Sequence, residues 1–344
     1  LNKQLLKACI VGAASLKGRE LKEVLEEHGF PALDIKLLDD DEVVGQLESV
    51  GDEATFVHAV AADEFEGMDI SFFATDAAFT RKRWMIARDK GSAIVDLSYG
   101  IDNEAAKYPV RAPWVERELG REAGLDISKS IVTVAHPAAV VLAMLLARLG
   151  RVAQIKSAVV TIFEPVSEQG KAGMDELHQQ TLNLLSFQKM PKEQFDTQVA
   201  FNILSAFGPE SKSSLAATEA LVTRHFHEIT GGKVHLPALR LLHAPTFHGY
   251  VFSIYVETEG DAQAGTFSKA LEGKHFSVVA AAEEAPSNIS AAGQDAVLVS
   301  VRPDVNRKSG IWIWAAADNL RVAALTAMEC GLALAATRPR GDIQ

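Results

Sequence analysis

A chain of 344 residues is long enough for two hydrophobic cores, and 48% hydrophobic against 23% charged residues is the balance of a globular protein. A formal net charge of -11 excludes non-specific binding to nucleic acid or to an anionic membrane, since both need a basic face. Small neutral or weakly charged ligands fit better.

Lys7 to Val11 reads as a short apolar strand, followed by the loop Gly12-Ala13-Ala14-Ser15-Leu16-Lys17-Gly18 and a helix whose Leu21, Val24 and Leu25 share one face. Gly29 is placed to cap that helix at its C-terminus. A second strand, Leu33 to Leu38, ends in the acidic run Asp39-Asp40-Asp41-Glu42. Further strands at Ile70 to Ala74, Ala93 to Asp96 and Ile131 to Val134 are apolar on both faces, as in a parallel sheet covered by helices on both sides. The first part of the chain is therefore expected to be a Rossmann-like α/β domain with a doubly wound parallel sheet. The apolar stretch Ile131 to Ala147 is broken by His136 and Pro137, so it reads as strand, turn and buried helix rather than a membrane span. Only Ala8 to Val11 follows the lysines of the first seven residues as an apolar run, which is too short for a secretory segment and makes a cytoplasmic setting the expectation.

Beyond Pro137 the strands lengthen. Tyr250, Phe252, Ile254 and Val256 alternate with Val251, Ser253, Tyr255 and Glu257, which predicts a sheet with two unlike faces in a second, α+β domain. Trp312 and Trp314 share one strand face, favouring core or dimer packing over a stacking platform. The last helix, Asp318 to Ala335, is apolar enough to pack on the first domain. Cys9 and Cys330 read as buried small hydrophobes, and neither they nor His225 and His227, which point apart at i and i+2, form a metal pattern. The two histidines are read as surface or interface residues. His136, at a strand end, has two readings: a ligand contact or a hydrogen-bonded structural group.

The loop after the first strand permits a tight turn at Gly12 and Gly18 and offers free helix N–H groups to a diphosphate, although Ser15 replaces the middle glycine of the usual pattern. Cofactor binding and a merely structural strand-to-helix turn both remain open. If a dinucleotide binds, Gly12, Ala14, Ser15, Leu16, Gly18 and Ala74 are its candidate contacts. The acidic run then favours NAD over NADP, with Asp39 as ribose partner. A plain solvated turn is the other reading of that run.

The loop Val11-Gly12-Ala13-Ala14-Ser15-Leu16-Lys17-Gly18-Arg19-Glu20 resembles the V-G-A-T-G-A-V-G-x-E opening of aspartate-semialdehyde dehydrogenases. Phe65 to Ala74 is similar to their F-x-G-x-D-I-x-F-F-A, and Pro165-Val166-Ser167 with Gly170, Gly173 and Glu176-Leu177 to A-V-S-G-A-G-x-x-G-x-x-E-L. Ala200-Phe201-Asn202 and Asp318-Asn319-Leu320-Arg321 also find counterparts, in the right order along the chain. The resemblance is to the Usg-type, semialdehyde-dehydrogenase-like branch. It implies a discontinuous dinucleotide-binding domain (1–136 and 318–344), an α+β dimerisation and substrate domain (137–317), and a homodimer.

Catalytic positions implied by the resemblance are changed together. The N-P-N-C-S-T motif appears as His136-Pro137-Ala138-Ala139-Val140-Val141, which puts Ala139 at the nucleophile. The substrate-orienting glutamine is Glu164, the clamping arginine is His243, the catalytic histidine is Tyr250 and the phosphate-binding arginine is Asp102. Leu215 stands at a family lysine. The resulting expectation is a family member without intact catalytic residues or a metal, acting as a binding or regulatory protein. Two alternatives stay open: an NAD(P)-dependent oxidoreductase of altered substrate using Glu164, His136, His248 or Tyr250, and a structural subunit that pairs with an active relative.

Overall fold

The structure is a computed structural model that describes residues 6–40, 44–50, 53–102, 108–121, 131–280 and 283–337. Its chain divides into two compact units, one formed by Leu1–Ala135 with Ala323–Gln344 and the other by His136–Val322.

In the first unit the chain runs β1 (Leu6–Val11), α1 (Leu16–Glu27), β2 (Ala32–Asp39), the hairpin β3 (Leu47–Val50) and β4 (Glu53–Phe56), then β5 (His58–Ala59) and β6 (Ile70–Phe73). It continues through α2 (Ala77–Asp89), β7 (Ala93–Asp96), β8 (Val110–Arg111), α3 (Pro113–Glu118) and β9 (Ile131–Val134). Seven strands form one sheet in the order β5-β2-β1-β6-β7-β9-β8, and its pairings are parallel. From β1 the chain builds the sheet first to one side through β2 and β5, then to the other through β6, β7 and β9. The carboxyl ends of β1 and β6 therefore flank the point where strand order reverses, the usual ligand position of such sheets. Residues on both faces of β6, β7 and β9 are buried, as their unbroken apolar runs require.

The second unit contains α4 (Pro137–Val152), β10 (Ile155–Glu164), α5 (Gly170–Leu185), α6 (Leu215–Thr230), β11 (Ala238–His243) and β12 (Tyr250–Thr258), then α7 (Ala264–Leu271), β13 (Phe276–Val278), β14 (Val297–Pro303) and β15 (Gly310–Ala317). Its mixed sheet has the order β11-β10-β12-β15-β14-β13. Strand β12 alternates buried and half-buried positions along its whole length, so one face carries Tyr250, Phe252, Ile254 and Val256 into the core. Helices α4, α6 and α7 pack over the sheet, and α4 is buried around nearly its whole circumference, which accounts for its Ala, Val and Leu composition.

The tryptophans are not core residues. Trp312 and Trp314 project from β15 on the opposite face, 46% and 38% exposed, with Val159 of β10 51% exposed. Their alternation with the buried Ile311, Ile313 and Ala315 places them there.

The final helix, α8 (Asn319–Thr337), is long and apolar enough to cross a bilayer, yet 72% of that stretch is buried in the protein. From Ala323 it belongs to the first unit, where Gly331 packs so closely on Phe72 that an added Cβ would sit 2.8 Å from its ring.

Candidate functional site

In the first unit the glycine loop is held mainly by its own backbone. Gly12 and Ala13 donate to the Leu38 carbonyl, and Ser15 N donates to Gly12 O. Gly12 has φ +87° and an added Cβ would lie 2.6 Å from Thr75 N, while a Cβ on Gly18 would meet Gly12 O at 2.0 Å. These two positions must be glycine for the turn to close. Ser15 is the N-cap of α1: its hydroxyl accepts from Gly18 N at 2.9 Å and donates to Ala74 O at 2.8 Å, tying the loop to the end of β6. A serine at this position closes the helix end that a glycine would leave open.

Asp39 ends β2 with its carboxylate on the loop. Oδ2 accepts from Ala14 N at 2.7 Å and Oδ1 from Asp40 N at 2.9 Å. Burial raises its pKa, and those two amides oppose the rise. Asp41 and Glu42 lie outside the described residues. At the first turn of α1 the amides of Leu16 and Lys17 make no hydrogen bond among the described residues, so an anion at this helix end would find two free donors. Lys17 adds a cation that sequence reading passed over: Nζ donates to Leu97 O at 3.2 Å and stands 4.7 Å from the centre of the Tyr99 ring. Asp96, buried beneath that loop, accepts from Ser98 N, Ser98 Oγ and Ile101 N, and Asp102 is buried at the loop's end.

In the second unit three of the positions singled out from sequence meet at one end of the sheet. Parallel pairing of β10 with β11 sets Glu164 beside His243, and the β10–β12 ladder runs Phe163 against Val251, so the next pair along is Glu164 and Tyr250. The side chains of Glu164, His243 and Tyr250 are all buried on the helix-covered face. Ala139 is the third residue of α4, with no exposed surface, and His136 is that helix's N-cap. His136 Nδ1 accepts from Ala138 N at 3.3 Å, and its ring lies 6.0 Å from that of Tyr250. His136 is therefore a hydrogen-bonded capping group. Leu215, also buried, is the first residue of α6. His248 stays in the loop before β12, its carbonyl accepting from Asn288 Nδ2.

The electrostatics of this end are unusual. Glu164 Oε1 accepts from Gln169 Nε2 at 3.1 Å, and its Oε2 has no hydrogen-bond partner among the described residues. Desolvation, reinforced by the nearby Glu168, pushes the Glu164 carboxyl up to about 8 against its ordinary 4.5, so at neutral pH it is mostly the uncharged acid. Burial pulls His243 down to about 4, so its imidazole is neutral, stacked near Phe195 and Phe207 with ring centres 6.0 and 5.6 Å away. Burial also pushes Cys9 up to about 12 and raises Cys330, leaving both thiols protonated in the first unit.

Three participants escaped the sequence reading. His225 is fully buried, not a surface residue, and its Nδ1 accepts from His136 N at 3.0 Å. It lies on the same inward stripe of α6 as Val222, Phe226 and Ile229, while His227 faces out, as their spacing requires. Glu168 accepts from Asn319 Nδ2 at 2.8 Å and approaches His136 Nε2 to 3.8 Å. Gln169 joins Glu164 to Ser213, whose hydroxyl bonds Gln169 Oε1 at 2.6 Å. A signal was present, since Glu168 and Gln169 stand where A-V-S-G-A-G has Gly and Ala. Among the described residues no three His, Cys, Asp or Glu side chains group as a metal site.

The chain matches two family models, the semialdehyde dehydrogenase NAD binding domain over residues 7–125 and the semialdehyde dehydrogenase dimerisation domain over residues 146–322. It is 29% identical over 318 residues to an aspartate-semialdehyde dehydrogenase of Rickettsia bellii, covering 91% of this chain and 92% of that one. A USG-1 protein homolog of Azotobacter vinelandii is 29% identical over 316 residues with the same coverage. In fold the chain is similar to aspartate semialdehyde dehydrogenase II of Vibrio cholerae, solved in complex with ASA, at a TM-score of 0.86, 24% identity and coverage of 97% and 99%.

The opposed shifts of Glu164 and His243 give a pH signature. Glu164 has its folded value above the ordinary one, so its contribution is whole below pH 4.5 and is lost as pH rises through about 8. For His243 the folded value is below the ordinary 6.5, so its contribution is present above that pH and is lost as pH falls through about 4. The two slopes oppose each other between 4.5 and 6.5, and only that of Glu164 remains above. Urea unfolding of the wild type from pH 6.5 to 8 is expected to lose stability by at most ~1.4 kcal/mol per pH unit from this group, and Glu164→Gln to remove that part of the slope. Parallel curves for the two proteins would contradict the assignment.

Proposed function

Because the chain belongs to the semialdehyde dehydrogenase family, we propose that it keeps the family's two-domain frame but works as a ligand-binding or regulatory protein without the thioester chemistry. One observation carries the reading: Ala139 occupies the first turn of α4, where the resemblance places the nucleophile and the helix dipole would favour a thiolate, and a methyl group cannot attack an acyl carbon. The changes around it agree. Tyr250 and His243 replace the base and the cationic clamp, and His243 is held neutral by burial. Glu168, its side chain 5% exposed and 3.8 Å from His136, adds an acidic group where an anionic acyl phosphate would have to be received, and the uncharged Glu164 offers no cation to offset it. Loss of a nucleophile together with its base removes on the order of 10⁵ or more in turnover in another nucleophilic enzyme. Purified protein is accordingly expected to give no NAD(P)-linked oxidation of aspartate semialdehyde in the presence of phosphate, followed at 340 nm; measurable turnover ends the proposal.

A second reading keeps an oxidoreductase with a different substrate. What favours it is Glu164, a buried carboxylic acid that retains its proton at neutral pH and so has the form a general acid needs. The same assay run with a panel of uncharged aldehydes and alcohols separates the two.

A dinucleotide in the first unit would take its diphosphate on the free amides of Leu16 and Lys17, with Gly12 and Gly18 giving the backbone approach and Lys17 the positive charge. Bound there, it would supply a hydride carrier. Asp39 at the end of β2 accepts a ribose hydroxyl but repels a 2′-phosphate, which favours NAD(H). Calorimetric titration is expected to show NADH binding at least tenfold tighter than NADPH. Equal affinities would remove Asp39 from this role.

We further propose that two copies pair through the open face of the second sheet. Trp312, Trp314 and Val159 expose apolar surface there, Phe163 lies 6.4 Å from Trp314 between ring centres, and the family model over this unit is a dimerisation domain. Sedimentation velocity is expected to find a dimer for the wild type and a monomer for Trp312→Arg; an unchanged dimer in the variant would place the interface elsewhere.

A further inference from the structure

Two buried polar atoms at one end of the second sheet make no hydrogen bond among the described residues, Glu164 Oε2 and His243 Nε2. They belong to register partners on adjacent parallel strands, each side chain on the helix-covered face and each residue 1% exposed. Neighbouring strands are about 4.8 Å apart, so the two residues stand side by side on that face. Leaving one such atom unbonded is costly, and here two neighbouring residues each leave one.

Both are held in place by their other contacts. Glu164 is fixed through Oε1 by Gln169 Nε2, which Ser213 Oγ and then Gln194 Nε2 anchor at 2.6 and 3.2 Å. The His243 imidazole is wedged by Phe195 and Phe207 and bonds the Val199 backbone. With Oε1 already accepting, the acid's proton sits on Oε2. Taking the single N–H of the neutral imidazole on Nδ1, toward the Val199 backbone, leaves Nε2 as the lone-pair nitrogen. The pair is one donor and one acceptor.

We propose that Glu164 Oε2 and His243 Nε2 form a subsite for a neutral hydroxyl group, which accepts from the carboxylic acid and donates to the imidazole. This rests on the reading of the second unit as a binding site without thioester chemistry and names the chemical class it takes: an uncharged hydroxylated small molecule. A carboxylate would find one donor and no cation, and would face Glu168 nearby. The other titratable groups at this end are His136 at the cap of α4, His225 on α6 and Tyr250 on β12.

The test is a titration of the full chain, labelled with ¹⁵N-histidine, using propane-1,2-diol, propionate and propylammonium at pH 7. The diol is expected to move the His243 Nε2 resonance saturably and the two ions at least tenfold more weakly. Glu164→Leu and His243→Phe are expected to weaken the diol tenfold or more. Should either variant fail to fold, the wild type suffices, because its diol affinity is expected to fall up to tenfold per pH unit above about 8 as Glu164 ionises. A stronger response to propionate or propylammonium, or no response to any of the three, overturns the subsite. The titration uses neither aldehyde nor dinucleotide, so its failure is read separately from any turnover of aspartate semialdehyde.

Discussion

A carboxyl group buried on the helix-covered face of a sheet, with no lysine or arginine among the groups that shift it, governs what the second unit can do. Glu164 is desolvated on every side, and what touches it is an amide and another acid. Under those conditions the group keeps its proton through neutral pH instead of its charge. A glutamine would have nearly the same shape. The difference is an O–H in place of an amide NH₂, and it makes the position one that tracks pH and offers an acidic O–H. His243 is driven the other way by the same desolvation, so adjacent strands present an acid that has kept its proton and a base that has lost one.

The sheet register enforces this arrangement. Along β10 the buried residues are Ala158, Val160, Ile162 and Glu164, and a slip of one residue would move the carboxyl to the open face that carries Val159 and Phe163. Pairing with β11 on one side and β12 on the other fixes the row, and the buried helix α4 brings its N-terminal turn to the same end. That turn is capped by a side chain, His136, whose own backbone is tied to His225 of α6. Asn319 completes the frame by accepting from Gly249 N at the start of β12 while donating to Ser167 and Glu168. Each contact is a hydrogen bond between groups largely withdrawn from water, so the geometry around Ala139 is fixed by the fold itself.

Strong periodicity made parts of this legible from sequence. The apolar runs of β1, β6, β7 and β9 and the strict alternation of β12 announce a covered parallel sheet and a two-faced one. Short strands such as β8 and β13 carry too few residues for a period to show, and β11 and β14 interrupt theirs with charged Arg240 and Arg302. Glu164, His243 and Tyr250 were singled out one by one from motifs far apart in the chain, and the strand register is what sets them in one row. What could not be read was how the space between strands is filled. Glu168 and Gln169 reach Glu164 only through the turn that follows β10, and His225 reaches His136 across 89 residues. The tryptophans kept two readings, core or dimer packing, because alternation tells that two residues share a face and not which face is covered; their exposure removes the first.

The two units have kept different things, for a physical reason. In the first, the loop depends on backbone approach: Gly12 against Thr75 and Gly18 against Gly12 leave no room for any side chain, so these positions cannot drift without breaking the fold. Ser15 and Asp39 bond loop amides directly and stabilise the turn whether or not a ligand is present. In the second, the reacting positions of the family are side chains whose removal costs the fold little. Ala139 fits the first turn of α4 as well as a cysteine would, and Tyr250 fills its buried place with a large ring. Selection for folding alone would therefore preserve the dinucleotide loop and release the nucleophile, whereas a drifting cavity would be expected to fill with apolar groups. Glu164 and His243 are instead polar and buried, with the half-buried Gln169 bonded to Glu164, at a cost in desolvation that inert packing would not incur. That cost is what the proposed hydroxyl subsite would account for.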